Sequence, residues 1–151
     1  EDGESGAFPP GWKAIAIRDG GKVIIDGSTA YEEEHSLLLS GETVNSRALI
    51  GMNPIPNFVP EIGARYKIKV RCKSENLTGS SFIKLEFWDA GPKELCTLFI
   101  LTPKLGTQDW YLLEGMTEVI PENTAQCWLN IGVYPGSGKL WVDNLSIELV
   151  K

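Results

Sequence analysis

Three features of the sequence predict an all-β fold. Apolar and polar residues alternate with a period of two along most of the chain, and turn-forming clusters interrupt the alternation about every ten residues. No stretch carries the apolar repeat of a helix.

The elements follow in order. Lys22–Asp26 is the first candidate strand, framed by Asp19-Gly20-Gly21 and Asp26-Gly27-Ser28. Ser36–Ser40 and Ser46–Gly51 are short apolar runs, the second closed by Asn53-Pro54-Ile55-Pro56-Asn57. Tyr66–Lys73 and Ser81–Asp89 alternate most regularly, and Asp89-Ala90-Gly91-Pro92 separates them from Leu95–Leu101. Trp110–Thr117 precedes Pro121-Glu122-Asn123, and Ala125–Tyr134 precedes Pro135-Gly136-Ser137-Gly138, which leads into Lys139–Leu149. Nine short strands without a helix imply two antiparallel sheets packed face to face, a β-sandwich jelly roll.

The 151 residues suffice to bury one core without staples, and no repeat or linker divides them, so residues 1–151 are expected to form a single domain and a monomer. A net charge of −6 speaks against nucleic acid and anionic membranes as partners, because phosphate binding draws on concentrated Lys and Arg. No apolar run approaches the length needed to span a bilayer, and Glu1–Gly6 lacks the layout of a signal peptide, so the chain reads as soluble and as a piece of something longer. Cys72, Cys96 and Cys127 are an odd number without close Cys pairing, which predicts free, buried thiols rather than a zinc site.

Alternation also assigns faces. Tyr66, Ile68, Val70 and Cys72 share one face, as do Ile83, Leu85 and Phe87, and Cys127, Leu129, Ile131 and Val133; these are the expected core. The opposite faces carry Lys67, Lys69, Arg71 and Lys73; Lys84, Glu86 and Trp88; and Gln126, Trp128, Asn130 and Tyr134. Flat aromatics that stack on the C–H faces of a sugar, together with planar polar groups that bond its hydroxyls, suit an oligosaccharide. Trp88 and Trp128 with Gln126, Asn130 and Glu86 provide both, and Lys69, Arg71 and Lys84, with Arg47 as a further candidate, are expected to form a basic strip beside them that favours carboxylate-bearing sugars. Trp12, Trp110 and Trp141 are expected to be packing residues.

A series of short motifs runs along the chain: Phe8-Pro9-Pro10-Gly11-Trp12, His35-Ser36-Leu37-Leu38-Leu39-Ser40-Gly41, Ile62-Gly63-Ala64-Arg65-Tyr66, Gly106-Thr107-Gln108-Asp109-Trp110, Val119-Ile120-Pro121 and Gly138-Lys139-Leu140-Trp141-Val142-Asp143-Asn144. In this order and spacing the chain resembles the jelly-roll carbohydrate-binding modules of secreted glycoside hydrolases, of the xylan- and β-glucan-binding type with the galactose-binding-like fold. The resemblance implies a secreted, non-catalytic domain that binds a plant or algal cell-wall polysaccharide in the concave face of a sheet and keeps an attached catalytic domain on its substrate. It also implies a structural calcium ion held by Asp143, with Glu1, Glu32 and the carbonyl of His35 as further ligands. Members of the group usually begin with a strand ending in Phe-Glu, whereas this chain opens at Glu1.

Two other functions fit the same pattern less well. A jelly-roll glycosidase needs two carboxylates across a cleft, for which Glu86 and Glu114 are the candidates, and His35 is the only histidine available to a triad. A cell-surface adhesion or protein-binding sandwich is the other, and it would retain its protein partner when Trp88 and Trp128 are replaced.

Overall fold

The computed structural model describes residues 3–91 and 94–151 as ten β-strands in two five-stranded antiparallel sheets, the β-sandwich that the alternation predicts. The strands are β1 (Lys13–Arg18), β2 (Gly21–Asp26), β3 (Ser36–Gly41), β4 (Arg47–Met52), β5 (Arg65–Leu77), β6 (Ser81–Trp88), β7 (Leu95–Leu101), β8 (Gly106–Met116), β9 (Gln126–Val133) and β10 (Gly138–Val150). The first sheet has the order β1-β4-β9-β6-β7 and the second β2-β3-β10-β5-β8.

The period-two pattern becomes the core directly. In β5 the side chains of Tyr66, Ile68, Val70 and Cys72 point inward, and in β6 those of Ile83, Leu85 and Phe87, all at most 4% exposed. Cys127, Leu129, Ile131 and Val133 do the same from β9, at most 5% exposed. Residues from both sheets join in one contiguous apolar cluster. Each fully buried side chain of this size stabilises the fold by about 1.5–3 kcal/mol through water exclusion.

Strand β1 is absent from the sequence-based set. It is an edge strand that pairs with β4 alone, has only exposed or half-buried residues, and contains a bulge between Ala14 and Ala16. Alanine is a weak strand former and the bulge breaks the alternation, so the pattern there carries little signal. From β1 the chain enters the other sheet through Asp19 and Gly20, both at positive φ (55° and 82°), a conformation that glycine and aspartate tolerate best.

The three thiols are free. Cys72 and Cys127 are buried on inner faces, and burial pushes each thiol up to about 12, with the Glu86 carboxylate adding to the effect at Cys127. Cys96, on edge strand β7, is half-buried and thus departs from the expectation of three buried thiols.

Candidate functional site

The outer face of the first sheet is built on the β6–β9 ladder. Its register sets Trp88 opposite Gln126, Glu86 opposite Trp128, Lys84 opposite Asn130 and Phe82 opposite Gly132. Trp88 and Trp128 are therefore diagonal neighbours, about 7 Å apart by ladder geometry, and both are half-buried. All the residues of this ladder that alternation assigned to a sugar platform share the face.

Hydrogen bonds and ion pairs hold the side chains of this face in place. The Trp88 indole N–H donates to Glu86 Oε2 at 3.1 Å, and Glu86 Oε1 lies 2.8 Å from Lys84 Nζ. Asn53, in the loop after β4, donates from Nδ2 to Gln126 Oε1 at 3.0 Å. Lys13 of β1 places its ammonium 5.0 Å from the Trp128 ring centroid, a cation–π contact that covers part of one ring face.

Asn130 is the exception to this pairing. It is only 4% exposed, yet its Oδ1 has no hydrogen-bond partner. An unpaired buried acceptor costs about 1–3 kcal/mol, so a donor that reached it would recover that energy. The glycine across the ladder makes room for the side chains packed there: a Cβ at Gly51 would stand 2.5 Å from Asn130 Oδ1, 2.5 Å from Ile15 Cδ1 and 3.2 Å from Trp128 Cε3.

Lys13, Gly51 and Asn53 were not among the candidates in the sequence. Gly51 closes a recognisable strand, but its opposition to Asn130 depends on the β4–β9 pairing, which joins segments nearly eighty residues apart (about 80).

The basic strip is elsewhere. Lys69 and Arg71 lie on β5 of the second sheet, with their side chains on its outer face, and are not beside the two tryptophans as alternation had suggested. β5 and β6 are consecutive, and the short connection Thr78–Ser80 carries the chain from one sheet to the other. Only Lys84 of the expected strip is on the tryptophan face. Arg47 is on that face too, at its far end, with its guanidinium carbon 5.0 Å from the Tyr134 ring centroid. Glu114 belongs to β8 of the second sheet, opposite Lys69, and so cannot flank a glycosidic bond together with Glu86.

The remaining tryptophans are divided in role. Trp12 packs against the core from the segment before β1. Trp141 is 5% exposed but lies outside the core cluster, on the outer side of the second sheet, where its indole donates to Asp26 Oδ2 at 2.8 Å. Trp110 meets Tyr31 edge to face, with ring centroids 5.9 Å apart.

Of the calcium ligands implied by the family resemblance, Asp143 is hydrogen-bonded to the segment that carries Glu32. Asp143 Oδ2 accepts the backbone N–H groups of Tyr31 at 2.8 Å and Glu32 at 3.1 Å, and Oδ1 accepts that of Asn144 at 2.7 Å. These bonds make the carboxylate a clamp of the loop. Glu32 is exposed, His35 is half-buried, and among the described residues no three His, Cys, Asp or Glu side chains converge as a metal site would require. Glu1 lies outside the described residues.

A separate cavity of about 620 Å³ opens at one end of the sandwich, between Trp12, Met52, Ile55, Leu129 and Leu145. Its walls are mainly apolar, and of the expected site residues it touches only Asp143. No helix of the described residues is long and apolar enough to cross a membrane.

No protein-family model and no curated protein matches the sequence. Solved structures match in architecture. A family 16 carbohydrate-binding module superposes with a TM-score of 0.68 at 14% identity, over 94% of this chain and 92% of that one. The fold is that of the carbohydrate-binding modules. A family 22 xylan-binding domain from Paenibacillus barcinonensis Xyn10C gives a TM-score of 0.64 at 18% identity, over 97% of this chain and 90% of that one. The enzymatically active domain of bacteriophage CBA120 tailspike protein 4 gives 0.71 at 14% identity, over 93% of this chain, which spans only 20% of the tailspike chain. At these identities the likeness is one of backbone architecture.

Proposed function

We propose that the outer face of the first sheet binds a polysaccharide chain without cleaving it, and that the module holds an attached catalytic domain on a plant or algal cell-wall polymer outside the cell. One observation carries this reading: a diagonal pair of half-buried tryptophans shares a sheet face with a buried asparagine, two residues beyond Trp128, whose carbonyl oxygen lacks a donor. The rings offer stacking surface to the sugar's C–H face, and Asn130 Oδ1 accepts from one of its hydroxyls. Glu86 and Gln126 are braced by Lys84 and Asn53, which fixes their remaining lone pairs for further hydroxyls.

Support comes also from the fold, which this chain has in common with a module described as xylan-binding. Binding rather than hydrolysis is favoured because Glu86 is ion-paired to Lys84 and its candidate partner Glu114 stands on the other sheet.

Affinity electrophoresis of the isolated chain in gels containing soluble xylan or β-glucan tests the proposal. Trp88→Ala and Trp128→Ala are each expected to weaken retention by about tenfold or more, roughly 1.4 kcal/mol, with the fold kept. Equal retention of parent and both variants would place the ligand elsewhere, whereas binding to a protein partner with no retention on any polymer would favour the adhesion function. Release of reducing ends that stops in Glu86→Gln would show an enzyme instead.

A further inference from the structure

We propose a second sugar-binding surface on the outer face of the second sheet, one that takes a carboxylate-bearing sugar with Arg71 as the anion receptor and Tyr31 and Trp110 as the stacking platform. It is independent of the tryptophan face on the first sheet.

The face is unusual for a chain of net charge −6, because β5 presents Lys67, Lys69, Arg71 and Lys73 in one outward row. Protection of a sheet edge does not account for the row, since β5 is flanked on both sides by β10 and β8. Three of the four cations have carboxylate partners: Lys67 with Glu114 at 3.4 Å, Lys69 with Glu148 at 3.1 Å and Lys73 with Asp109 at 3.6 Å. Arg71 has none within ion-pair distance among the described residues.

The reason is local. The residue opposite Arg71 on β10 is Asp143, whose two oxygens accept the N–H groups of Tyr31, Glu32 and Asn144. The same clamp that occupies this carboxylate holds Tyr31 beside Arg71, with the guanidinium carbon 4.5 Å from the ring centroid. Contact with a ring restrains the guanidinium while leaving its N–H donors for an anion, and the planar fork matches a carboxylate in two parallel bonds.

Aromatic surface adjoins this receptor. Tyr31 is 38% exposed, and Trp110 is half-buried against it. From Arg71 a groove of about 490 Å³ continues past Lys69 and Lys67, between Leu112 and Glu114 on β8 and Asn144, Ser146 and Glu148 on β10. The row from Lys67 to Lys73 extends about 20 Å, long enough for several sugar rings in line. Glu114, Glu148 and Asp109 neutralise their lysines, so the face has one strong anion position, at Arg71, and otherwise suits hydroxyls.

The test uses the isolated chain and three soluble polymers: polygalacturonate, which bears carboxylates; neutral xylan; and a sulfated carrageenan. The parent is expected to be retained by polygalacturonate, and Arg71→Gln and Tyr31→Ala to weaken that retention by about tenfold, with the effect shrinking as salt rises. Neither change should alter retention on xylan, and the Trp88→Ala/Trp128→Ala double variant should keep retention on polygalacturonate. Circular dichroism checks that each variant is folded. Absence of polygalacturonate retention by the parent, its survival in both Arg71→Gln and Tyr31→Ala, or its loss only in the tryptophan double variant would overturn the second surface. Retention by carrageenan alone would overturn the assignment to carboxylates.

Discussion

Asn130 and Asp26 illustrate how single residues divide between binding and stability. Because Asn130 Oδ1 is buried without a partner, Asn130→Ala removes a polar group that the free protein leaves unsatisfied. The expected outcome is a melting temperature equal to or above that of the parent together with xylan retention weakened by about tenfold. A variant that melts earlier and binds normally would show that the side chain serves the fold. Asp26 acts in the opposite sense. Burial alone would raise its carboxyl, but hydrogen bonds from Ser28 and the Trp141 indole, with the charge of Lys139, hold it below the usual carboxylate range. A depressed folded-state pKa stabilises the protein at pH values above the ordinary carboxylate range, and the contribution fades as pH falls through the folded value. Asp26→Asn should therefore lower the melting temperature at pH 7, and thermal melts at successively lower pH should show the difference between variant and parent shrinking below the ordinary carboxylate range.

At the scale of elements, the consequences lie in how strands present their side chains. Gly51 on β4 faces Asn130 and the Trp128 ring, and all three of its nearest obstacles are side-chain atoms. In Gly51→Ala the methyl group displaces those side chains rather than the backbone, so a folded protein with about tenfold weaker xylan retention is expected by titration. Unaltered binding would mean that the placement of Asn130 and Trp128 beside Gly51 does not matter to the ligand. On β10, Asp143 joins the strand to the loop of Tyr31 and Glu32 by accepting two N–H bonds from that loop, and it accepts a third from Asn144 of its own strand. Asp143→Ala orphans these donors and should destabilise the fold by about 1–3 kcal/mol in chemical denaturation. The loss should be the same with and without a chelator, since the carboxylate works as a hydrogen-bond clamp; a loss that vanishes in chelator would point to a bound cation.

The whole molecule is a two-sheet sandwich around one apolar cluster, and Phe87, fully buried, is among its largest members. Phe87→Ala should cost about 3–5 kcal/mol, seen as a drop of about 10 °C or more in the melting temperature. What local pattern could convey about this molecule is large. Side-chain direction in a strand depends only on a period of two, so the inward sets of β5, β6 and β9 and the outward positions of Trp88, Gln126, Trp128 and Asn130 are legible from the chain itself. Alternation, however, says which residues share a strand face and nothing about which strands share a sheet. The placement of Lys69 and Arg71 away from the tryptophans, the separation of Glu86 from Glu114, and the meeting of Gly51 with Asn130 all follow from long-range pairings. Those pairings are settled by how ten strands close one common core. The same closure brings Tyr31 across to Asp143 and Arg71, residues that no local period connects.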